Sequence, residues 1–180
     1  MRHAHYVGHG SGYHAPDDAM LSSEGRQDTI AMARFLPSAA GIVSSPLPRA
    51  LQTAEILAEH SGVPRLGAIS DLREWRSPSA VRGVPPADFP EDYAEWRSRR
   101  THEPASRYGD GESLQELSER ATRVRAGLTA LAERQGPLLV VSHKMLLRAL
   151  TLSGGPSPVF DPAGRDNWPF LEFRALDRES

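Results

Sequence analysis

Gly41-Ile42-Val43-Ser44-Ser45-Pro46-Leu47-Pro48-Arg49-Ala50-Leu51-Gln52-Thr53-Ala54 changes from one periodicity to another within a single stretch. Gly41 to Ser44 is a short apolar run of the kind that forms a strand buried on both faces. Ser45-Pro46 ends it. Pro46 suits a helix N-terminus, where its missing N–H costs nothing. Leu51, Ala54, Ile56 and Leu57 follow at helical spacing, and Gly62 stops the helix. Arg49 falls in the first turn, so it leaves from the carboxyl end of the strand. Ligands of open α/β sheets bind at such ends.

Working outward, the same alternation recurs. Leu138-Leu139-Val140-Val141 is a continuous apolar run, the mark of a central parallel strand. Ser142-His143 closes it. Residues 144–152 then form a helix with Met145, Leu146 and Ala149 inward. Upstream, Ser113 and Glu116 make a capping box. It opens an amphipathic helix carrying Leu114, Leu117, Ala121, Val124, Leu128 and Leu131, which Gly136-Pro137 ends. Ser22 or Ser23 caps a helix running to about Leu36, with Ile30, Ala31, Ala33 and Phe35 as its apolar face. Leu66 to Ile69 forms a strand leading into Asp71-Leu72-Arg73-Glu74-Trp75. Residues 167–176 form a last strand. Strand and helix in alternation imply a three-layer α/β/α sandwich with a mostly parallel central sheet. There is no internal repeat and no linker, so residues 1–180 form a single domain.

Composition narrows the function. The chain has 180 residues, a net charge of −2 and no cysteine. A disulfide frame, a thiolate metal site and a cysteine nucleophile are therefore excluded. Nothing suggests a nucleic-acid or membrane partner. No signal-like or bilayer-length apolar run is present, so residence in the cytoplasm is expected. Lys144 is the sole lysine; the arginine-rich balance is more simply a codon bias than an adaptation.

Residues 76–111 are irregular, broken by Pro78, Gly83, Pro85, Pro86, Pro90, Pro104, Gly109 and Gly111. One helix, about Glu91 to Arg100, interrupts them. Phe89, Tyr93, Trp96 and Tyr108 make the stretch too aromatic for disorder. It reads as a cap or lid over a pocket that sets substrate choice. Alternatively, the rings only anchor the loop to the core.

The N-terminus carries Met1-Arg2-His3-Ala4-His5, then His9 and His14. Three readings remain open. Arg2-His3 is an anion-binding pair followed by a loop to Leu21-Ser22-Ser23-Glu24-Gly25, with Gly25 lying 22 positions after His3. Or Gly8-His9-Gly10 takes that part at a shorter spacing. Or His3 and His5 are metal ligands.

Taken together, Arg2-His3, the Leu21–Gly25 turn, Ser45-Pro46-Leu47-x-Arg49-Ala50-x-Gln52-Thr53-Ala54, Gly111-Glu112-Ser113 and Ser142-His143 resemble the histidine phosphatase superfamily, the phosphoglycerate-mutase-like fold. The resemblance implies that His3 is a nucleophile that becomes phosphohistidine. It implies that Arg2, Arg49 and His143 bind the phosphoryl group, and that Glu74 is the proton donor. The alternative for Glu74 is a surface glutamate paired with Arg73 or Arg76. Neither metal nor other cofactor is implied, because arginines take the metal's place. Two departures stand out. Lys144 sits where the family usually has a small residue, and only Met1 precedes Arg2-His3 where the family has an apolar strand. A strand stub would leave backbone groups of its neighbours unpaired and put the α-amino charge beside the site; a start upstream would restore the strand.

The expected function is a metal-independent, histidine acid phosphatase-type phosphomonoester hydrolase acting on a small phosphorylated metabolite. The short chain argues against a phosphoglycerate-mutase-type phosphotransferase, a second outcome of the same resemblance. An impaired member that binds a phosphorylated ligand or protein, and a metal-dependent hydrolase built on the N-terminal histidines, stand as alternatives. A homodimer is left open.

Overall fold

The computed structural model describes residues 1–151 and 168–176. Its sheet is open and parallel, with β1 (Gly41–Ser44), β2 (Arg65–Ala68) and β3 (Leu138–Val141) in the order β2-β1-β3. Five α-helices lie among the described residues: α1 (Ser23–Met32), α2 (Pro48–Ser61), α3 (Glu91–Arg99), α4 (Leu114–Gln135) and α5 (Lys144–Thr151).

β1 and β3 are largely apolar because they serve two cores, whereas the edge strand β2 is mostly exposed. Ile42, Leu139 and Val141 face Ala50, Ala54 and Leu57 of α2. Val43 and Val140 face the opposite side, where Leu117, Val124, Leu146 and Trp75 pack. Helices on both faces of a parallel sheet are the three-layer architecture. No helix among the described residues is long and apolar enough to cross a membrane.

Local chemistry explains most element ends. Ser113 and Glu116 form the capping box of α4. Ser22 caps α1, its hydroxyl accepting from the Gly25 N–H at 3.0 Å. Gly25 is required there, since a Cβ would lie 2.1 Å from the His5 carbonyl oxygen. Gly62 ends α2 at φ 75°, a conformation glycine adopts without strain.

Several expectations need correction. Pro48, not Pro46, opens α2, with Leu47 as its N-cap. The apolar face assigned to the first helix is largely wrong: Ile30 and Phe35 are exposed. α1 stops at Met32 and continues as a 3-10 turn, so it is the small edge of Gly25, Thr29 and Ala33 that is buried. In α5 the core is filled by Leu146, Leu147 and Leu150, with Met145 and Ala149 at its margin. Residues 168–176 are not a strand. Pro169 has no N–H to offer, and Leu171 turns the chain at φ 60°. Residues 152 and 167, at the ends of two expected elements, lie outside the described residues.

The N-terminal stub does not leave its neighbours unpaired. Ser142 N–H donates to Met1 O at 3.0 Å, and His3 N–H to Ser142 O at 2.9 Å. On the other side Arg2 exchanges hydrogen bonds with Leu171 and Glu172. The α-amino group donates to Val140 O at 2.7 Å. Burial lowers its pKa to about 5, so near pH 7 it places no charge beside the site.

Candidate active site

The site begins where the strands end. Arg2 and His3 follow Met1 beside β3, Arg49 sits in the first turn of α2, and His143 lies between β3 and α5. The Gln52-Thr53 pair of the α2 string holds these pieces together. Thr53 Oγ1 accepts from Ala4 N–H at 3.1 Å and donates to Arg49 O at 2.7 Å. Gln52 Oε1 accepts from Leu21 N–H at 2.9 Å. The N-terminal segment is thereby pinned to the helix that carries Arg49.

His3 and His143 are buried with ring centroids 4.9 Å apart and planes at 58°. His3 Nδ1 is 2.7 Å from Ala4 O. A carbonyl only accepts, so Nδ1 carries the proton and Nε2 keeps its lone pair. Burial, then the charges of Arg49 and Arg2, hold the His3 pKa well below the usual histidine range. His143 Nε2 is 2.7 Å from Ser45 Oγ. That hydroxyl already accepts from Leu47 N–H at 3.2 Å, so its hydrogen is available to Nε2. The hydroxyl can donate to Nε2 or accept a second bond from it, so the contact is compatible with either His143 tautomer. His143 pKa is likewise held well below the usual range, by burial and then by His3, Arg49 and Arg2.

The two arginines are braced but not saturated. Arg2 donates to Trp168 O at 2.8 Å, with its guanidinium carbon 3.8 Å from the centre of the Phe170 ring. Arg49 donates to Pro16 O at 3.1 Å and lies 5.6 Å from the Tyr6 ring centre. Arg2 Nε, Arg49 Nε and His143 Nδ1 are buried with no hydrogen-bond partner among the described residues. Buried donors without acceptors are costly, so the two arginine Nε–H groups at one place point to an acceptor that arrives from outside.

Glu74 stands beside this floor. Its Oε1 accepts from the backbone N–H groups of Trp75 at 2.9 Å, Met145 at 3.0 Å and Leu146 at 3.3 Å. It therefore caps the N-terminus of α5, rather than pairing at the surface with Arg73 or Arg76. Burial raises its pKa above the usual carboxylate value; the Trp75 amide, then Arg49 and Arg2, offset only part of that.

A cavity of about 950 Å³ opens over these groups. Arg2, His3, Arg49 and Glu74 line it. His143 is not among the lining residues; its buried ring packs 4.9 Å from that of His3. Lys144 lines the cavity and so extends the basic surface. His9 is exposed at the rim, its ring 4.8 Å from that of Phe170. His5 turns away, with Nδ1 2.8 Å from Ser22 Oγ. No group of three or more metal-ligating side chains occurs among the described residues. From residues 76–111, Tyr93 and Trp96 are buried in the core, as in the anchoring alternative, whereas Arg76, Ser77, Arg97 and Arg100 reach the cavity.

Sequence reasoning overlooked one part. Arg120 on α4 forks onto Glu112, with Nε and Nη2 each 2.8 Å from a carboxylate oxygen. Its other donors reach the carbonyls of Asp71 and Arg73 at 2.7 and 2.8 Å, and that of Glu74 at 3.3 Å. Glu112 also accepts from Arg76 N–H at 3.1 Å, and its carbonyl from Trp75 Nε1 at 2.7 Å. One buried ion pair thus fastens both flanks of Glu74. A charged residue on the inner side of an otherwise apolar helix face was the only available signal.

Known proteins share this fold. A mycobacterial glucosyl-3-phosphoglycerate phosphatase is 28% identical, with 88% of this chain and 80% of that one covered and a TM-score of 0.68. The alpha-ribazole phosphatase of Shigella flexneri is 22% identical, covering 82% and 74%, with a TM-score of 0.69. YhfR of Bacillus stearothermophilus is 22% identical, covering 89% and 82%, at 0.72. The last two likenesses speak to fold alone. The family model of the histidine phosphatase superfamily (branch 1) matches residues 1–156. The chain belongs to that superfamily.

Proposed function

We propose that the chain hydrolyses phosphomonoesters of small metabolites through a phosphohistidine at His3, without a metal. The observation that carries this is the protonation pattern of the floor: a neutral His3, its Nε2 lone pair unshared, between two half-satisfied guanidinium groups. The mycobacterial relative is named as a phosphatase of a small phosphorylated metabolite and has also been solved with inorganic phosphate, which supports the same reading.

A phosphomonoester resists attack because its own charge repels nucleophiles. Arg2 and Arg49 take the non-bridging oxygens with forked donors, and His143, in the tautomer protonated on Nδ1, supplies a third contact beside His3. His3 Nε2 then forms a bond to phosphorus as the ester P–O bond breaks. Protonated Glu74 gives its proton to the departing oxygen. The bound phosphoryl charge raises the Glu74 pKa further, because like charges disfavour ionisation. In the second half, ionised Glu74 takes a proton from water. That water attacks phosphorus and breaks the P–N bond, releasing phosphate and restoring His3. Residues 76–111 act as a cap over these steps.

The test is a rapid acid-free quench with a labelled ester in EDTA. A base-stable, acid-labile adduct mapping to His3, absent from His3→Ala, is expected. Turnover that needs an added metal, or an adduct elsewhere, would overturn the proposal.

A further inference from the structure

Of the 21 lysine and arginine residues in the chain, Lys144 alone is a lysine, and it opens α5 beside the phosphoryl floor. It lines the same cavity as Arg2, His3, Arg49 and Glu74. The backbone fixes its place there. Glu74 Oε1 takes the two amides that follow it, Met145 N–H at 3.0 Å and Leu146 N–H at 3.3 Å. The amine therefore belongs to the side of the cavity where a leaving group meets Glu74.

Most of its surroundings disfavour the charged form. Lys144 is half-buried, and it lies at the positive end of the α5 dipoles. Desolvation, then the charges of Arg2 and Arg148, lower its pKa, while Glu74 raises it. His9 is the other titratable group in this field. An arginine here would supply a permanent charge and a better fork for phosphate. A lysine desolvated among other cations supplies instead a nucleophilic amine. The hydrolytic cycle makes no use of that nucleophile.

We propose that Lys144 is a covalent acylation site for acyl phosphates, the mixed anhydrides of a carboxylic and a phosphoric acid. This rests on the phosphoryl site of the hydrolase reading above. Such a donor has two electrophilic atoms. With its phosphoryl group held by Arg2 and Arg49, phosphorus meets His3, and the acyl group takes the leaving-group side, where Lys144 stands. The neutral amine adds to the carbonyl carbon, and the C–N bond forms as the C=O opens to an oxyanion. The oxyanion collapses and the C–O bond to the phosphoryl oxygen breaks. Phosphate departs with that electron pair and takes up the proton that nitrogen loses. The products are an Nε-acyl-lysine and inorganic phosphate, and no oxidant, reductant or metal enters. Holding amine and donor in one cavity turns a collision into an internal step. The amide is uncharged, so acylation also takes one cation out of the cavity.

The test uses the full chain as His3→Ala, in which phosphorus is no longer attacked, in phosphate-free buffer. Two donors are compared, acetyl phosphate and para-nitrophenyl acetate. Peptide mass mapping separates a label on Lys144 from one on the buried Met1 amine. The readout is the rate with acetyl phosphate over the rate with para-nitrophenyl acetate, set against the same ratio for Nα-acetyl-lysine. The reactivity of the amine itself cancels in that comparison, and only docking remains. The folded protein should raise the ratio by about tenfold or more, a small part of what an oriented internal reaction can gain. Inorganic phosphate, competing for Arg2 and Arg49, should return it toward the free-lysine value, and so should Arg49→Ala. Phosphate competition decides the matter if that variant does not fold. A ratio equal to that of free lysine would overturn the proposal. So would a label confined to other residues, or a raised ratio that phosphate leaves unchanged. The hydrolase reading is judged apart, by phosphate release from para-nitrophenyl phosphate in the wild-type protein. Release without a raised ratio sinks the acylation site alone. A raised ratio without release keeps the acylation site and sinks hydrolysis.

Discussion

The floor and the wall of the cavity are built by different means. The floor, with Arg2, His3, Arg49 and His143, hangs on strand ends and helix starts, and the backbone ladder of the sheet sets its geometry. The wall, from Asp71 to Glu112, has no strand of a sheet and only one α-helix, α3. Side chains reaching back to its backbone hold it, above all Arg120 and Glu112. His3, the proposed nucleophile, is therefore positioned by many weak cooperative bonds, and Glu74, the proposed proton donor, by the amides at the start of α5 and by the Arg120–Glu112 ion pair on its flanks. Damage to the floor should remove phosphoryl chemistry for every substrate. Damage to the wall should act most where the leaving group needs a proton.

The largest effect expected is on the floor. His3→Ala should lower kcat by at least about 10⁴-fold, the scale of losing a nucleophile. His9→Ala should keep most activity, since His9 is an exposed rim residue. The opposite result would move the motif to Gly8-His9-Gly10 and break the comparison. Arg49→Ala should cost about 10²–10³-fold, as for loss of one preorganised charge donor. That loss should be the same for para-nitrophenyl phosphate and for an alkyl phosphate, because Arg49 serves the phosphoryl group and not the leaving group.

The wall should show the reverse pattern. Glu74→Gln should slow alkyl phosphates by about 10²–10⁴-fold, the usual worth of general acid–base help. It should slow para-nitrophenyl phosphate far less, because nitrophenolate leaves without a proton. Arg120→Ala should follow Glu74→Gln in this leaving-group dependence while also destabilising the fold by about 3–5 kcal/mol, through Glu112 left buried and unpaired. Arg120→Lys keeps the charge but not the fork, so it should regain stability before it regains the alkyl rate. Equal losses on both ester types in Glu74→Gln would mean that floor and wall are one unit. The pH profile adds a sign. Glu74 must be protonated to act as an acid, and its pKa is raised from the usual carboxylate value. Activity on alkyl esters should therefore fall as pH rises through that raised value. No acid limb is expected at the ordinary histidine pKa, because His3 remains neutral well below it.

The same contrast explains what could be read from residues alone. Floor residues sit in periodic segments whose type is set locally: Val140-Val141-Ser142-His143 can hardly be other than a buried strand and its exit. The Arg49 string is legible for another reason: it is a long, specific motif, although Gln52 and Thr53 act through long-range contacts to Leu21 and Ala4. Errors fall where a long-range contact decides. Ile30 and Phe35 have helical spacing but no facing layer. Residues 168–176 have strand-like composition, but pair with Arg2 at one point only. Arg120 and Glu112 are eight positions apart, a spacing with no helical meaning across a cap boundary, so the brace of the wall was invisible. His143 shows the finer limit: its place in the sheet was legible, but not that its ring would be fully buried against His3.

The smallest effect separates the two regions by titration. His14 belongs to the wall, its Nε2 3.0 Å from the Tyr93 hydroxyl and its ring stacked near Phe89. Its pKa is lowered to about 4 by burial and by Arg97 and Arg100. A base with a depressed folded-state pKa contributes stability that is complete above its unfolded value and is lost as pH falls. For His14 that window runs from about 6.5 down to about 4. His3 and His143 lose stability in the same direction, so the wild-type curve alone cannot distinguish wall from floor. His14→Gln does, because glutamine does not titrate and can still meet the Tyr93 hydroxyl. The difference in unfolding free energy between variant and wild type should be flat above pH 6.5. It should then move in favour of the variant by about 1–2 kcal/mol on the way to pH 4, allowing for solvent screening of a half-buried group. The floor histidines cancel in that difference. A difference that stays flat through the whole window would mean that Arg97 and Arg100 do not press on His14, and that the wall is more open than its packing implies.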